Sequence, residues 1–253
     1  MARPIDRLEP RRRLVLHVRT RYDVEAELQV SLDLAAAWGT ELTTFFVTDE
    51  ASIRACQLPF PTMVGFSGGT LNVSPAEFDA AIRHEARFCR QLLATAAERS
   101  QLSWSFQTLR WRTRNLVREA SSAEDFLVFR IDRLGLSPEE LVSAARELAP
   151  ERGGVILVPE RATQQQGSLV TIDCAPTPPA LLAHFSTSLA TALRTRVSHS
   201  ALADEPISSA TVAAISGARL LLASLGSPML DDARTIRRLM SGFRRPLLLI
   251  RGD

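Results

Sequence analysis

The chain contains no lysine: all 30 of its basic residues are arginine, set against 28 acidic ones. A net charge of +2 with scattered arginines excludes the strongly basic face of a general nucleic-acid binder, and the arginine bias fits a GC-rich genome. Cysteine is scarce. Cys56, Cys89 and Cys174 are odd in number, far apart and without C-x-x-C spacing, so neither a disulfide framework nor a zinc site is indicated. That usage fits a reducing cytoplasm. No run approaches the ~18 apolar residues of a membrane span. The opening Met-Ala-Arg-Pro-Ile-Asp-Arg-Leu-Glu-Pro lacks an apolar export region, so neither insertion nor export is expected.

What is present is an ordinary globular composition, 45% hydrophobic and 23% charged, together with an internal echo. Residues 14–47 align on 169–202 at a constant offset of 155 residues. In both stretches a short apolar strand, Leu14-Val15-Leu16-His17-Val18 or Leu169-Val170-Thr171-Ile172-Asp173, leads through a turn into a helix and a second strand. The chain therefore reads as a duplication of one α/β unit.

Further along, 13–18 reads as a buried strand, 23–38 as a helix stopped by Gly39, and 42–47 as a second strand. Residues 49–73 form a long loop with Pro59, Pro61, Gly65, Gly68 and Gly69; its length marks it as a lid, a contact surface or an insertion. Ser74-Pro75-Ala76-Glu77 and Ser137-Pro138-Glu139-Glu140 both have the capping-box order and open helices. Between them, Trp104, Phe106, Leu109 and Trp111 mark a strand whose alternation slips, which predicts a bulge or an early end. A short helix near 114–121, strands at 126–129 and 155–158, and a polar linker at 159–167 follow. The remainder reads as strand 168–173, helix 178–193, strand 196–202, helix 210–216, strand 220–225, helix 228–240 and strand 246–250. Matching Phe126 with Leu220 changes the offset to 94, so the second unit lacks the long loop, the Ser74 helix and the Trp104 strand. The expected fold is α/β, with two tandem open parallel-sheet, Rossmann-like modules at 1–158 and 168–253, the second shortened.

The order of elements, the segment Val-Thr-Ile-Asp-Cys-Ala-Pro-Thr-Pro-Pro-Ala-Leu-Leu at 170–182, and the ending of strand, Gly226-Ser227, helix and strand resemble the universal stress protein family, in its two-domain form. The resemblance implies an aspartate closing the first strand that contacts adenine or ribose, and a G-x2-G-x9-G-[ST] run that wraps the triphosphate. Asp173 falls on the aspartate and Gly226 on the first glycine, while Met229, Leu239 and Met240 stand at the other motif positions. In the first unit Val18 stands where the aspartate belongs. A methionine or leucine obstructs the close backbone approach to phosphate oxygens that glycine allows. The resemblance also implies pairing through the last strands, so 155–158 and 247–250 should meet within the chain as a pseudo-dimer, or between chains as a homodimer.

Three groups of residues are candidate ligand contacts. Asp173, Gly226 and Ser227 lie at the ends of neighbouring strands, where a ribose and an anion would meet a helix N-terminus; the alternative is that Asp173 caps its own turn and Ser227-Pro228 starts a helix. Arg112 and Arg114, with Arg110 and Arg118, form an arginine cluster suited to phosphate or carboxylate, or else a solvated edge. His17 on the apolar first strand reads as a satisfied core histidine. His84 and Glu85 lack the second histidine of an H-E-x-x-H site. No pattern supplies a nucleophile with its base, so turnover is not expected. The expected function is regulatory, through a partner protein or a small anionic ligand, with no nucleic acid and no membrane. The alternative is an adenine-nucleotide sensor whose cofactor is ATP or AMP.

Overall fold

The computed structural model describes residues 13–49, 54, 62–64, 70–72, 74–111, 122–130, 137–149, 153–159, 167–202, 209–239 and 244–251. Its elements are β1 (Arg13–Val18), α1 (Arg21–Trp38), β2 (Glu41–Asp49), β3 (Thr62–Val64), β4 (Thr70–Asn72), α2 (Pro75–Arg99), β5 (Trp104–Trp111), β6 (Phe126–Arg130), α3 (Pro138–Leu148) and β7 (Gly154–Val158). There follow β8 (Ser168–Asp173), α4 (Ala180–Ala192), β9 (Val197–Ala201), α5 (Ser209–Ser216), β10 (Ala218–Ser224), a 3-10 turn (Pro228–Asp231), α6 (Ala233–Arg237) and β11 (Leu247–Ile250).

Local chemistry sets most of these boundaries. In α2 the Ser74 hydroxyl accepts from Glu77 N at 3.2 Å and Ser74 N donates to Glu77 Oε2 at 2.9 Å, and Ser137 and Glu140 repeat this reciprocal box in α3. α1 stops where Gly39 turns to φ +61, a conformation a side chain disfavours. The first turn of α1 is capped in trans, since Arg21 N donates to Glu85 Oε1 of α2 at 2.6 Å.

Nine strands form one sheet in the order β5-β2-β1-β6-β7-β11-β10-β8-β9, and β3 and β4 form a separate antiparallel pair. Every pairing in the large sheet is parallel except one: β7 and β11 run antiparallel, with Leu157 opposite Leu247 and Gly154 opposite Ile250. The expected meeting of 155–158 with 247–250 therefore occurs, within the chain. Both strands are buried along their whole length. Parallel sheets need both faces covered, and alternate residues of each strand enter two separate cores. Val15, Leu127, Val155, Val170, Leu221 and Leu247 lie on one face; Leu14, Val128, Ile156, Leu169, Leu222 and Leu248 lie on the other.

Each core runs across the β7–β11 seam. Phe126, almost completely buried, packs on Trp38 of α1 at 4.5 Å and on Phe185 of α4 at 5.9 Å, and aromatic pairs of this kind contribute about 1 kcal/mol beyond area burial. Asp33 of α1 also binds Arg219 of β10. At the same end of β6, one residue before Phe126, the wholly buried Asp125 carboxylate accepts from Arg13 Nη2 and Ser122 N, each at 2.7 Å. Gly153 lies so close that a Cβ there would come within 1.9 Å of Asp125 O.

Three sequence expectations need correction. The 49–73 segment, read as loop, contains the β3–β4 hairpin. β5 has neither bulge nor early end and pairs with β2 in unbroken register from Leu42–Trp104 to Asp49–Trp111; as an edge strand it is partly solvated, so strict alternation is not required of it. The helix expected at 228–240 is split, because Asp232 takes an extended conformation and caps a new short helix through Arg234 N and Thr235 N. The helix expected near 114–121 lies outside the described residues.

Candidate functional site

From β8 the chain passes to β9 on one side and later to β10 on the other, so strand order reverses between β8 and β10. Such a switch point is where open α/β sheets place ligands, beyond the carboxyl ends of the strands. β8 ends there in Asp173, and β10 ends in Ser224, followed by Leu225, Gly226 and Ser227.

The structure brings Asp173 and Ser227 together. The Ser227 hydroxyl donates to Asp173 Oδ1 at 2.6 Å, and Cys174 N donates to the same oxygen at 2.7 Å. Ser227 N in turn donates to Ser224 O at 3.0 Å, and Gly226 N to the Ser224 hydroxyl at 3.3 Å. Asp173, Ser224 and Ser227 are each no more than 5% exposed. Asp173 thus caps its own turn and also ties β8 to the turn after β10. Gly226 has room beside it, the nearest atom to an added Cβ being the Ser224 hydroxyl at 3.8 Å.

Beyond Ser227 the backbone is packed inward. Met229 and Leu239 are both 3% exposed and sit in the same core as Ile172, Leu225 and Ile236. These are the positions where the phosphate-wrapping motif has glycine. A phosphate loop needs an open backbone with its N–H groups outward; here the chain is held by buried side chains. Acidic groups also occupy the next turn, since the Asp232 carboxylate caps α6, held below the usual carboxylate range by the Thr235 hydroxyl and then by the Thr235 and Arg234 amides. Asp231 pairs with Arg146 at 2.8 Å.

Two neighbouring groups could do chemistry. Burial pushes the Cys174 thiol above its ordinary pKa, and the Asp173 charge adds to this, against an opposing backbone hydrogen bond with Met229. Near neutral pH it is a thiol and a weak nucleophile. His199 of β9 was not singled out by sequence, yet its Nδ1 lies 3.0 Å from the Thr171 hydroxyl and its Nε2 lies 2.9 Å from Ala175 O. A carbonyl only accepts, so Nε2 carries a proton toward Ala175, while the Thr171 hydroxyl is shared between Nδ1 and Ser198 O, the latter at 3.3 Å. The available signal was the polar alternation Thr171, Asp173 in an otherwise apolar strand.

The corresponding crevice, between β1 and β6, is different. His17 stacks on Phe129 at 5.0 Å and tilts against Phe45 at 5.8 Å, and both its ring nitrogens are sealed from solvent without a hydrogen-bond partner among the described residues. The expectation of a satisfied histidine is corrected on this point. Burial pushes its pKa down to about 4, so it is neutral at physiological pH. Arg112, Arg114 and Arg118 lie outside the described residues. His84 is exposed on α2, and Glu85 serves as the cap of α1. Among the described residues no group of three or more His, Cys, Asp or Glu could hold a metal ion. No described helix is long and apolar enough to cross a membrane.

No protein-family model matches the chain, and no curated protein matches it. Solved structures do match in fold. A universal stress protein from Archaeoglobus fulgidus superposes with a TM-score of 0.55 at 10% identity, covering 95% of this chain and 97% of that one. A functionally unknown protein from Pseudomonas aeruginosa gives 0.54 at 9% identity, covering 96% and 94%. The cytoplasmic domain of a prokaryotic cation chloride cotransporter gives 0.51 at 12% identity, covering 95% and 96%. At these identities the likeness is one of fold: a mostly parallel, Rossmann-type α/β sheet shared with universal stress proteins.

Proposed function

We propose that the chain is a regulatory protein of the universal-stress type, built from two unequal copies of one module, that acts by binding a partner protein or a small anionic ligand and not by turnover. The duplication is supported by β1 and β8, six-residue strands 155 positions apart, each followed by a helix and a parallel neighbour. The two sets of strands abut at the antiparallel β7–β11 seam. In this reading 1–158 and 168–253 are the modules, 159–167 joins them, and the seam is an internal pseudo-dimer contact.

The observation that carries the binding role is the closed state of the one surviving motif aspartate. Asp173 is already bonded by Ser227 and Cys174 N, and Met229 and Leu239 fill the core where a triphosphate loop would open. Calorimetry and thermal shift with ATP and AMP test this reading. We expect no saturable heat and no shift at millimolar nucleotide.

An adenine-nucleotide sensor is the second reading, favoured by Asp173 and Ser227 meeting at the switch point where a ribose would sit. It requires the Ser227 hydroxyl to release Asp173 and turn to the ligand. A nucleotide at 100 times its Kd would then raise stability by ~2.7 kcal/mol, and Asp173→Asn would abolish the shift. That result would replace the first reading with the second.

A further inference from the structure

We propose that β9 is a docking edge for a second copy of this chain, pairing antiparallel with the same strand of the partner about a two-fold axis at His199. The proposal does not depend on the functional reading above. β9 closes one end of the sheet and is bonded only on its β8 side among the described residues. Leu169 N donates to Arg196 O at 2.8 Å and Leu202 N to Asp173 O at 2.7 Å, so even-numbered residues of this strand turn their backbone groups inward. In a regular parallel ladder the alternate residues then face out: Val197, His199 and Ala201 present N–H and C=O groups that no described strand pairs.

Nothing in the strand protects this edge. Edge strands are usually blunted by charge, proline or a bulge, whereas Val-Ser-His-Ser-Ala has none of these and pairs with β8 in regular register. Val197 is 38% exposed, one of two large apolar side chains left that open among the described residues. Elsewhere in the same sheet the equivalent place is filled: β2, which flanks β1 as β9 flanks β8, carries β5 on its outer side along its whole length. No described strand takes that place beside β9.

Val197-Ser198-His199-Ser200-Ala201 reads nearly alike in both directions about His199. A two-fold axis there sets Val197 against the partner's Ala201, Ser198 against the partner's Ser200, and His199 against the partner's His199. The outward-facing residues become hydrogen-bonded pairs, each exchanging N–H and C=O with its opposite, and the apolar Val197 is met by a small side chain. His199 is already held by Thr171 and Ala175 O, so little side-chain freedom is lost on docking. Pairing of like edges closes as a dimer, whereas β9 against the β5 edge of another copy would be head-to-tail and would propagate.

Sedimentation velocity of the full chain across the micromolar range tests this. Wild type should sediment as a dimer. Ala201→Pro removes an outward N–H and no bond to β8, and it should weaken the dimer by about tenfold or more with unchanged circular dichroism and Tm. Val197→Glu, which replaces the apolar contact with the partner's Ala201 by a carboxylate that docking would desolvate, should do the same and guards against misfolding of the proline variant. Thr108→Pro on the outer side of β5 should leave the dimer intact. A monomeric wild type overturns the proposal, as does a dimer that survives both β9 substitutions, or one lost in Thr108→Pro and kept in Ala201→Pro.

Discussion

The Ser227 hydroxyl donates to the Asp173 carboxylate at 2.6 Å, joining the turn after β10 to the end of β8 across 54 residues of sequence. Both groups are buried, so neither finds ready compensation from water if the other is removed.

Ser227→Ala should therefore destabilise the protein by about 2 kcal/mol, the usual cost of losing a hydrogen bond to a charged, buried acceptor. Urea denaturation measures it. A loss below a few tenths of a kcal/mol would mean that the hydroxyl does not hold this turn.

His17 makes stability depend on pH. Its pKa is pushed from 6.5 down to about 4 in the folded chain, so as pH falls the unfolded chain takes up a proton first. The stabilisation is complete above pH 6.5 and is lost as pH falls from there to about 4, amounting to about 3 kcal/mol for a shift of this size. His17→Leu should remove that part of the pH dependence, seen as a smaller difference in unfolding free energy between neutral pH and mildly acid pH. An unchanged difference would show that the ring is solvated in the folded state.

At Asp125 a single carboxylate gathers Arg13 and Ser122 N where β1 enters the sheet. Asp125→Ala removes the acceptor for Arg13 and for Ser122 N and should cost about 2–3 kcal/mol, read from the midpoint of chemical unfolding. A mild effect, within about 1 kcal/mol, would show that Arg13 finds water or another partner as readily.

Two glycine substitutions separate two kinds of cost. At the β7–β11 seam a Cβ on Gly154 would stand 2.6 Å from Leu249 O, so Gly154→Ala must push the seam strands apart, at about 1–3 kcal/mol. A Cβ on Gly39 meets nothing within 4 Å, but its φ of +61 remains; Gly39→Ala should cost about 1 kcal/mol from backbone strain alone. Thermal unfolding of the two variants side by side gives the comparison, and equal Tm values would contradict a tight seam.

How much of this was legible in the sequence follows from the range over which each force acts. The capping boxes at Ser74 and Ser137 and the αL stop at Gly39 are satisfied within three or four residues, and the structure has them where the sequence placed them. β8 spans 168–173 as expected because its apolar run is buried on both faces. The 228–240 segment shows the limit. Its apolar residues fit one helix on paper, but Met229, Leu230, Ile236 and Leu239 are drawn into a core that also contains Ile172 and Leu225, and Asp232 breaks the run to cap a second helix.

Sequence by itself determined the alternation of strands and helices, the caps, and the arrival of Asp173 and Ser227 at strand ends. Only the tertiary structure decided that these two residues would bond, that Met229 would be buried, that the ring nitrogens of His17 would find no partner among the described residues, and that no described strand would pair with the outer side of β9. The physical reason is distance along the chain: a cap is made by neighbours, whereas a strand end acquires its chemistry from whichever segments the packing of the sheet sets beside it.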